Sequence, residues 1–275
     1  VTKDKSDDIM KKSGIFNVEV VTLSIEYIIA LCGIGFAAAF IDSIAGGGGI
    51  ISLPGLLVLG VPPAFALGTN KFAASCASFT SSLTFIKYRV YDGDLLKYLI
   101  FGTLLGAILG VKTVLLLDSS QLRIIIIALM VFVAIYTLFV KNIGNENKFE
   151  GVNKKTIAIG LIISIILGFY DGFFGPGTGS FYIFLFLTLL NYDFKISAGN
   201  GKILNFVSNI TSLVMFALNG KILYSIAIPM ALAMILGARL GTKLAIKNGA
   251  RLIKPILVSV TFLYAVKMIF DVIKH

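Results

Sequence analysis

Two acids and two lysines stand where charge is least expected. Between Ile28 and Ile86 only Asp42 and Lys71 carry full charge, and the pattern returns later with Asp171 and Lys202. A charged group near the centre of a bilayer costs on the order of 2.5–3.5 kcal/mol even on the lenient insertion scale. Such groups inside apolar sequence can carry protons, hold an anion or neutralise one another. Each acid sits beside a glycine-rich interruption, F-I-D-S-I-A-G-G-G-G (Phe40–Gly49) and Y-D-G-F-F-G-P-G-T-G-S (Tyr170–Ser180). Four consecutive glycines oppose a helix by about 1 kcal/mol each relative to alanine, and Pro176 removes a backbone donor. Unwound backbone at membrane depth survives only where protein covers it or water reaches it. Its N–H groups, with the N-terminal ends of helices starting near Ile50 and Ser180, form electropositive cups for anions. The candidate ligands are Gly46, Gly47, Gly48, Gly49, Gly175, Gly177, Thr178 and Gly179. Lys71 and Lys202 supply charge beside them, and Asn70, Asn200 and Asn205 supply amides.

Simpler roles exist for the same residues. Each lysine can snorkel to an interface or pair with an aspartate purely for stability. Asp42 and Asp171 can titrate as proton carriers or cap the loosened backbone; both readings stay open. Behind the lysines run the stripes Ser75, Ser78, Ser82 and Asn205, Ser208, Asn209, Ser212. Spacings of three and four place each stripe on one helix face, suited to a wet interior. The row Gly102, Gly106, Gly110 and the pair Gly237, Gly241 read as close helix packing. Cys32 and Cys76 form no motif, His275 is terminal, and neither a phosphate loop nor a dinucleotide pattern is present. No catalytic group, metal site or cofactor is expected.

The elements that must position these groups are membrane helices. Hydrophobic residues make up 57% of the chain and the mean hydropathy is +0.94. Apolar runs occur at about 23–60, 64–86, 95–117, 121–140, 156–190, 196–219, 222–246 and 252–273. The fold class is all-α and polytopic. The net charge of +10 faces lipid headgroups rather than nucleic acid, because most Lys and Arg lie in connections and tails. Residues 1–22 read as a cytoplasmic tail without a signal-peptide pattern. Eight spans with the N-terminus inside place Lys87, Arg89, Lys97, Lys141, Lys148, Lys154, Lys155 and Lys221 in the cytoplasm. They leave Lys112, Arg123, Lys195, Lys243, Lys247, Arg251 and Lys254 opposite. The first and fifth runs are too long for one helix, about 57 Å for about 38 residues, so each must break, tilt or fold back.

The chain also repeats itself. A shift of 131 residues superimposes Gly68 on Gly199, Lys71 on Lys202, Thr80 on Thr211, Ser81 on Ser212 and Gly106-Ala107 on Gly237-Ala238. A shift of 129 pairs Asp42 with Asp171 and Gly46 with Gly175. Two tandem homologous repeats follow, residues 23–140 and 156–275, joined by the polar linker 141–155. Each has about four hydrophobic segments, the first broken by glycine. Duplication of this kind places substrate sites at the repeat interface near mid-membrane.

The runs Gly35–Pro54 and Leu67–Lys71 (L-G-T-N-K), with Gly168–Phe181 and G-N-G-K-I-L-N (Gly199–Asn205), resemble the two repeats of the TauE/SafE family of sulfite exporters. The resemblance spans about residues 23–273 and implies a multi-pass inner-membrane protein moving small sulfur-containing or organic anions, such as sulfite, sulfoacetate and thiosulfate. Gly201 separates Asn200 from Lys202, whereas Asn70 and Lys71 are adjacent, so the two half-sites are expected to be unequal. The combined expectation is a secondary transporter of small anions, its partners an anion and the bilayer, with a homo-oligomer compatible. An anion channel is the alternative. An intramembrane aspartyl protease fits less well, since the Gly-x-Gly-Asp context is missing.

Overall fold

The structure, a computed structural model, describes residues 25–118, 120–122, 124–126, 128–129 and 147–248. The N-terminal tail 1–22, the last apolar run 252–273, most of 121–140 and linker positions 141–146 lie outside the described residues, as do Arg123, Lys141, Arg251, Lys254 and His275. Among the described residues there is no strand. The helices are α1 (Ile25–Ala45), α2 (Gly49–Val58), α3 (Pro63–Lys87), α4 (Gly93–Leu115), α5 (Lys154–Phe173), α6 (Thr178–Leu189), α7 (Phe194–Leu218) and α8 (Tyr224–Asn248). Local chemistry sets their starts. Pro63 opens α3, and Asp92 caps α4 by accepting from Asp94 and Leu95 N–H. Asn153 and Thr156 form a capping box on α5, and Asp193 caps α7.

Five helices, α1, α4, α5, α7 and α8, are long and apolar enough to cross a bilayer. The chain is a polytopic all-helical membrane protein. Helix α3 is as long as α7 but more polar, because Asn70, Lys71, Ser75, Ser78, Ser81 and Ser82 turn inward and are buried.

Both long apolar runs break at their glycines and fold back. Gly48 lies against Ala38 and Asp42, Gly55 against Ile34, and Tyr27 Oη donates to Leu59 O at 3.5 Å. Helix α2 therefore runs antiparallel to α1 and returns to the face from which α1 started. Helix α6 does the same beside α5: beyond its end Asn191 O accepts from Lys148 N at 2.8 Å, and Tyr192 stacks on Phe149.

This corrects the expected alternation of eight spans. One face gathers Leu59, Ala64, Asp118 and Lys221. The other joins Asp92 to Tyr192 at 2.7 Å, Lys148 to Asn191, and Val90 to Ile246 through one apolar cluster. Lys148 and Lys221, expected on the same side, are on opposite faces, because a hairpin enters and leaves where a single span would cross.

Parallel packing unites the two halves. Gly102 meets Ser164 and Ile165, Gly106 meets Gly168 and Phe169, and Gly110 meets Phe169 and Phe173, so α4 lies along α5 at backbone contact. Gly35, Gly237 and Gly241 join α1 to α8 in the same way. The central pair, α3 and α7, runs antiparallel, with Lys71 reaching Asn209 and Ser82 reaching the Lys202 carbonyl.

Candidate functional site

The two broken tips touch. Gly46 abuts Gly179 and Ser180, Gly49 abuts Pro176, and Ser180 Oγ donates to Ala45 O at 2.7 Å. The N-terminal ends of α2 and α6, where backbone dipoles concentrate positive character, therefore meet at one junction. Polar side chains of α3 and α7 approach it from the side.

Each lysine reaches the aspartate of the other half. Lys71 Nζ donates to Asp171 Oδ1 at 2.9 Å and to Asn209 Oδ1 at 3.0 Å, with both ion-pair side chains only 2% exposed. Lys202 Nζ donates to Asp42 Oδ2 at 2.5 Å, and there the carboxylate is 21% exposed. The environments of the acids differ. Asp171 accepts further bonds from Thr178 Oγ1 at 3.2 Å, Asn205 Nδ2 at 3.1 Å and Ser208 Oγ. Asp42 gains only the Gly48 N–H, at 3.2 Å. A buried ion pair offsets its desolvation only when its remaining lone pairs are satisfied; Asp171 meets that condition.

Beside this network lies a small, partly open cavity of about 30 Å³, room for one or two water molecules. Its walls are Ala38, Ala39, Asp42, Gly46, Gly48, Gly49, Ser52, Asn70, Lys71, Ala74, Ala77, Asp171, Gly175, Gly179, Asn205, Asn209 and Met234. Among the described residues the buried side-chain atoms without a hydrogen-bond partner are Asn70 Oδ1, Ser197 Oγ and Asn200 Nδ2. Of these only Asn70, itself 5% exposed, lines the cavity.

The structure sorts the residues singled out in the sequence. Gly46, Gly48, Gly49, Asn70, Lys71, Gly175, Gly179, Asn205 and both aspartates border the cavity. Gly47, Gly177, Thr178 and Lys202 do not. Gly47 O accepts from Ile50 N, Gly177 holds a left-handed turn ahead of α6, and Thr178 and Lys202 act through the carboxylates behind the wall.

Asn200 lies away from the cavity. Its Oδ1 accepts from Asp92 N at 2.8 Å, fastening the loop before α4 and leaving the cavity to others. Thr69 does the same for the loop before α8, accepting from Leu223 N at 3.1 Å. Register at 131 pairs Thr69 with Asn200 and Asp92 with Leu223, which is the signal that would have found this role. The wall residues Ala38, Ala39, Ala74, Ala77 and Met234 carry no chemical signature, and Asn209 was visible only as part of a stripe. Among the described residues no cluster of His, Cys, Asp and Glu could hold a metal ion. Each aspartate is matched to a lysine, which is not the proton-sharing pair of carboxylates that aspartyl proteolysis needs.

A family profile described as sulfite exporter TauE/SafE matches residues 31–268. The chain is similar to a probable membrane transporter protein of Haemophilus influenzae, 37% identical over 249 residues that cover 90% of this chain and 97% of the relative. It is likewise similar to the probable membrane transporter protein YfcA of Escherichia coli, 34% identical over 259 residues, 94% of each chain. A more distant likeness, 22% over 266 residues, links it to the probable membrane transporter protein YunE of Bacillus subtilis, covering 88% of this chain and 97% of that one. No solved structure matches it significantly.

Proposed function

The chain belongs to the sulfite exporter TauE/SafE family of membrane transporters, and from that premise we propose a secondary transporter of small anions, chiefly sulfur oxyanions or organosulfonates, in the bacterial inner membrane. The observation that carries the reading is a small cavity where two helix tips and two ion pairs converge, with the Asn70 amide, whose Nδ2 hydrogens can donate to an anion, on its wall. The positive ends of α2 and α6 and the lysine ammonium groups supply the field an oxyanion needs, while the alanine and methionine wall accepts an apolar substituent. A cavity of water size must widen to load, so the tips or ion pairs separate in the transport cycle, as repeat halves gate around a fixed site. Contact between the two tips favours a carrier over a channel. Proteoliposome uptake of labelled thiosulfate and methanesulfonate tests this. Wild type is expected to exchange at least one, and Asn70→Ala to slow that exchange by about tenfold with little change in unfolding temperature, since the amide leaves no protein partner behind. Absence of wild-type exchange with these anions and with sulfite and sulfoacetate would refute the cargo class.

Two further parts of the proposal concern architecture. We read the halves as homologous repeats of opposite sense, a reading supported by the matching bonds of Thr69 and Asn200 to Leu223 and Asp92 and by the antiparallel α3 and α7. Orientation follows from charge. The face of Arg89 and Lys148 also receives Lys87, Lys97, Lys154, Lys155, Lys195, Lys243 and Lys247, whereas the opposite face receives Lys112 and Lys221. By the positive-inside rule the first face is cytoplasmic. In a background with Cys32 and Cys76 replaced by serine, Asn219→Cys should react with an impermeant maleimide in intact cells and Glu150→Cys only after permeabilisation. The reverse pattern would invert the orientation.

A further inference from the structure

The two ion pairs look alike in sequence, yet the donors around their carboxylates are distributed unequally. The shift of 131 places Ala74 where the second half has Asn205 and Ala77 where it has Ser208; the shift of 129 places Gly49 where it has Thr178. Asn205, Ser208 and Thr178 are the three side chains that join Lys71 in holding Asp171. Their counterparts near Asp42, Gly49, Ala74 and Ala77, carry no side-chain donor, and all three line the cavity. The free space thus lies where the second half has hydrogen-bond donors, and it borders the more exposed carboxylate.

We propose that Asp42 takes up a proton together with each anion, while Asp171 stays ionised as a fixed counter-charge to Lys71. This rests on the anion-transporter reading and adds its coupling ion. A carboxylate held by several donors resists protonation, and one with few donors and access to water does not. With both pairs formed, Lys71, Lys202, Asp42 and Asp171 sum to zero charge, so an incoming monoanion leaves the buried site negative. A proton taken by Asp42 from water restores neutrality and frees Lys202 Nζ to turn to the anion. The new carboxyl O–H is a donor, and the Asn70 Oδ1 that lacks one borders the same cavity.

Among the described residues no other titrating group faces Asp42. Around Asp42, α3 contributes Lys71, α7 Lys202 and α5 Asp171, and α2 contributes none. The phenols of Tyr170 and Tyr182 are engaged with Pro176 O and Thr103, and Arg239, Lys243 and Lys247 of α8 are exposed. Anion and proton are then linked ligands that cross together.

The test uses the full chain in proteoliposomes with labelled methanesulfonate, whose own charge is constant across the working pH range. For the wild type, an acid exterior should drive accumulation and external pH should rise as anion enters. In Asp42→Asn, exchange at equal pH should lose its pH dependence, and proton-driven accumulation should fall by about tenfold or more. A second variant rebuilds around Asp42 the donors that hold Asp171. In Ala74→Asn/Ala77→Ser the pH midpoint of transport should move about one unit or more towards acid. Proton-driven accumulation persisting in Asp42→Asn, or an unmoved midpoint in the double variant, overturns the assignment of Asp42. A wild type that exchanges none of the anions named above overturns the transporter reading, and this one with it.

Discussion

Lys71→Ala should destabilise the folded protein by about 3–5 kcal/mol, the usual consequence of stranding a buried charge, and abolish transport. Its partner Asp171 is 1% exposed, and removing the ammonium leaves a buried carboxylate without its counter-charge. The remaining donors, Thr178, Asn205 and Ser208, are neutral and cannot replace a full charge. Lys202→Ala should abolish transport as well but cost less stability, because Asp42 is 21% exposed on its side chain and can hydrate. Thermal unfolding in detergent separates the two, with the larger fall expected for Lys71→Ala. The double variant Lys71→Ala/Asp171→Asn removes both charges and should regain much of the lost stability without regaining flux. Equal losses for the two single variants would mean that the pairs are energetically equivalent, contrary to their surroundings.

The sequence made the chemistry of these four groups conspicuous, because charge in an apolar stretch has few explanations. Their partners were less visible. That Lys71 pairs with the acid of the other half depends on α3 crossing α7 antiparallel beside the touching tips, a tertiary fact with no local signature. Helix breaking at Gly46–Gly49 was legible since propensity is local; the return of α2 along α1 was not, since it rests on Gly48 and Gly55 packing against residues far earlier in the chain. Counting each broken run as one crossing, where folding back was left open, was enough to misassign the faces of Lys148 and Lys221. The cavity was the hardest feature to foresee. Part of its wall is alanine, and only the comparison of Ala74 and Ala77 with Asn205 and Ser208 shows that side-chain donors are absent at those places.

The contact between the tips can be tested by one methyl group. Gly46 has φ +81°, where side chains are strained, and a Cβ there would run into the backbone of Gly179 and Ser180. Gly46→Ala should therefore cost about 1–3 kcal/mol for the backbone conformation and a further amount of about 1–3 kcal/mol for forced repacking, and stop transport by prising the tips apart. Two other glycines separate these contributions. Gly60 has φ +83° with nothing within 4 Å of its added carbon, so Gly60→Ala carries the conformational cost alone and should leave flux intact. Gly179 lacks the positive φ, but its added carbon would lie 2.6 Å from the Gly46 Cα, so Gly179→Ala carries the collision alone. If the tips touch as described, flux falls in Gly46→Ala and Gly179→Ala and survives in Gly60→Ala, while unfolding temperature falls furthest in Gly46→Ala. Normal flux in Gly179→Ala would separate the two tips in the working protein and leave the proposed anion site without its floor.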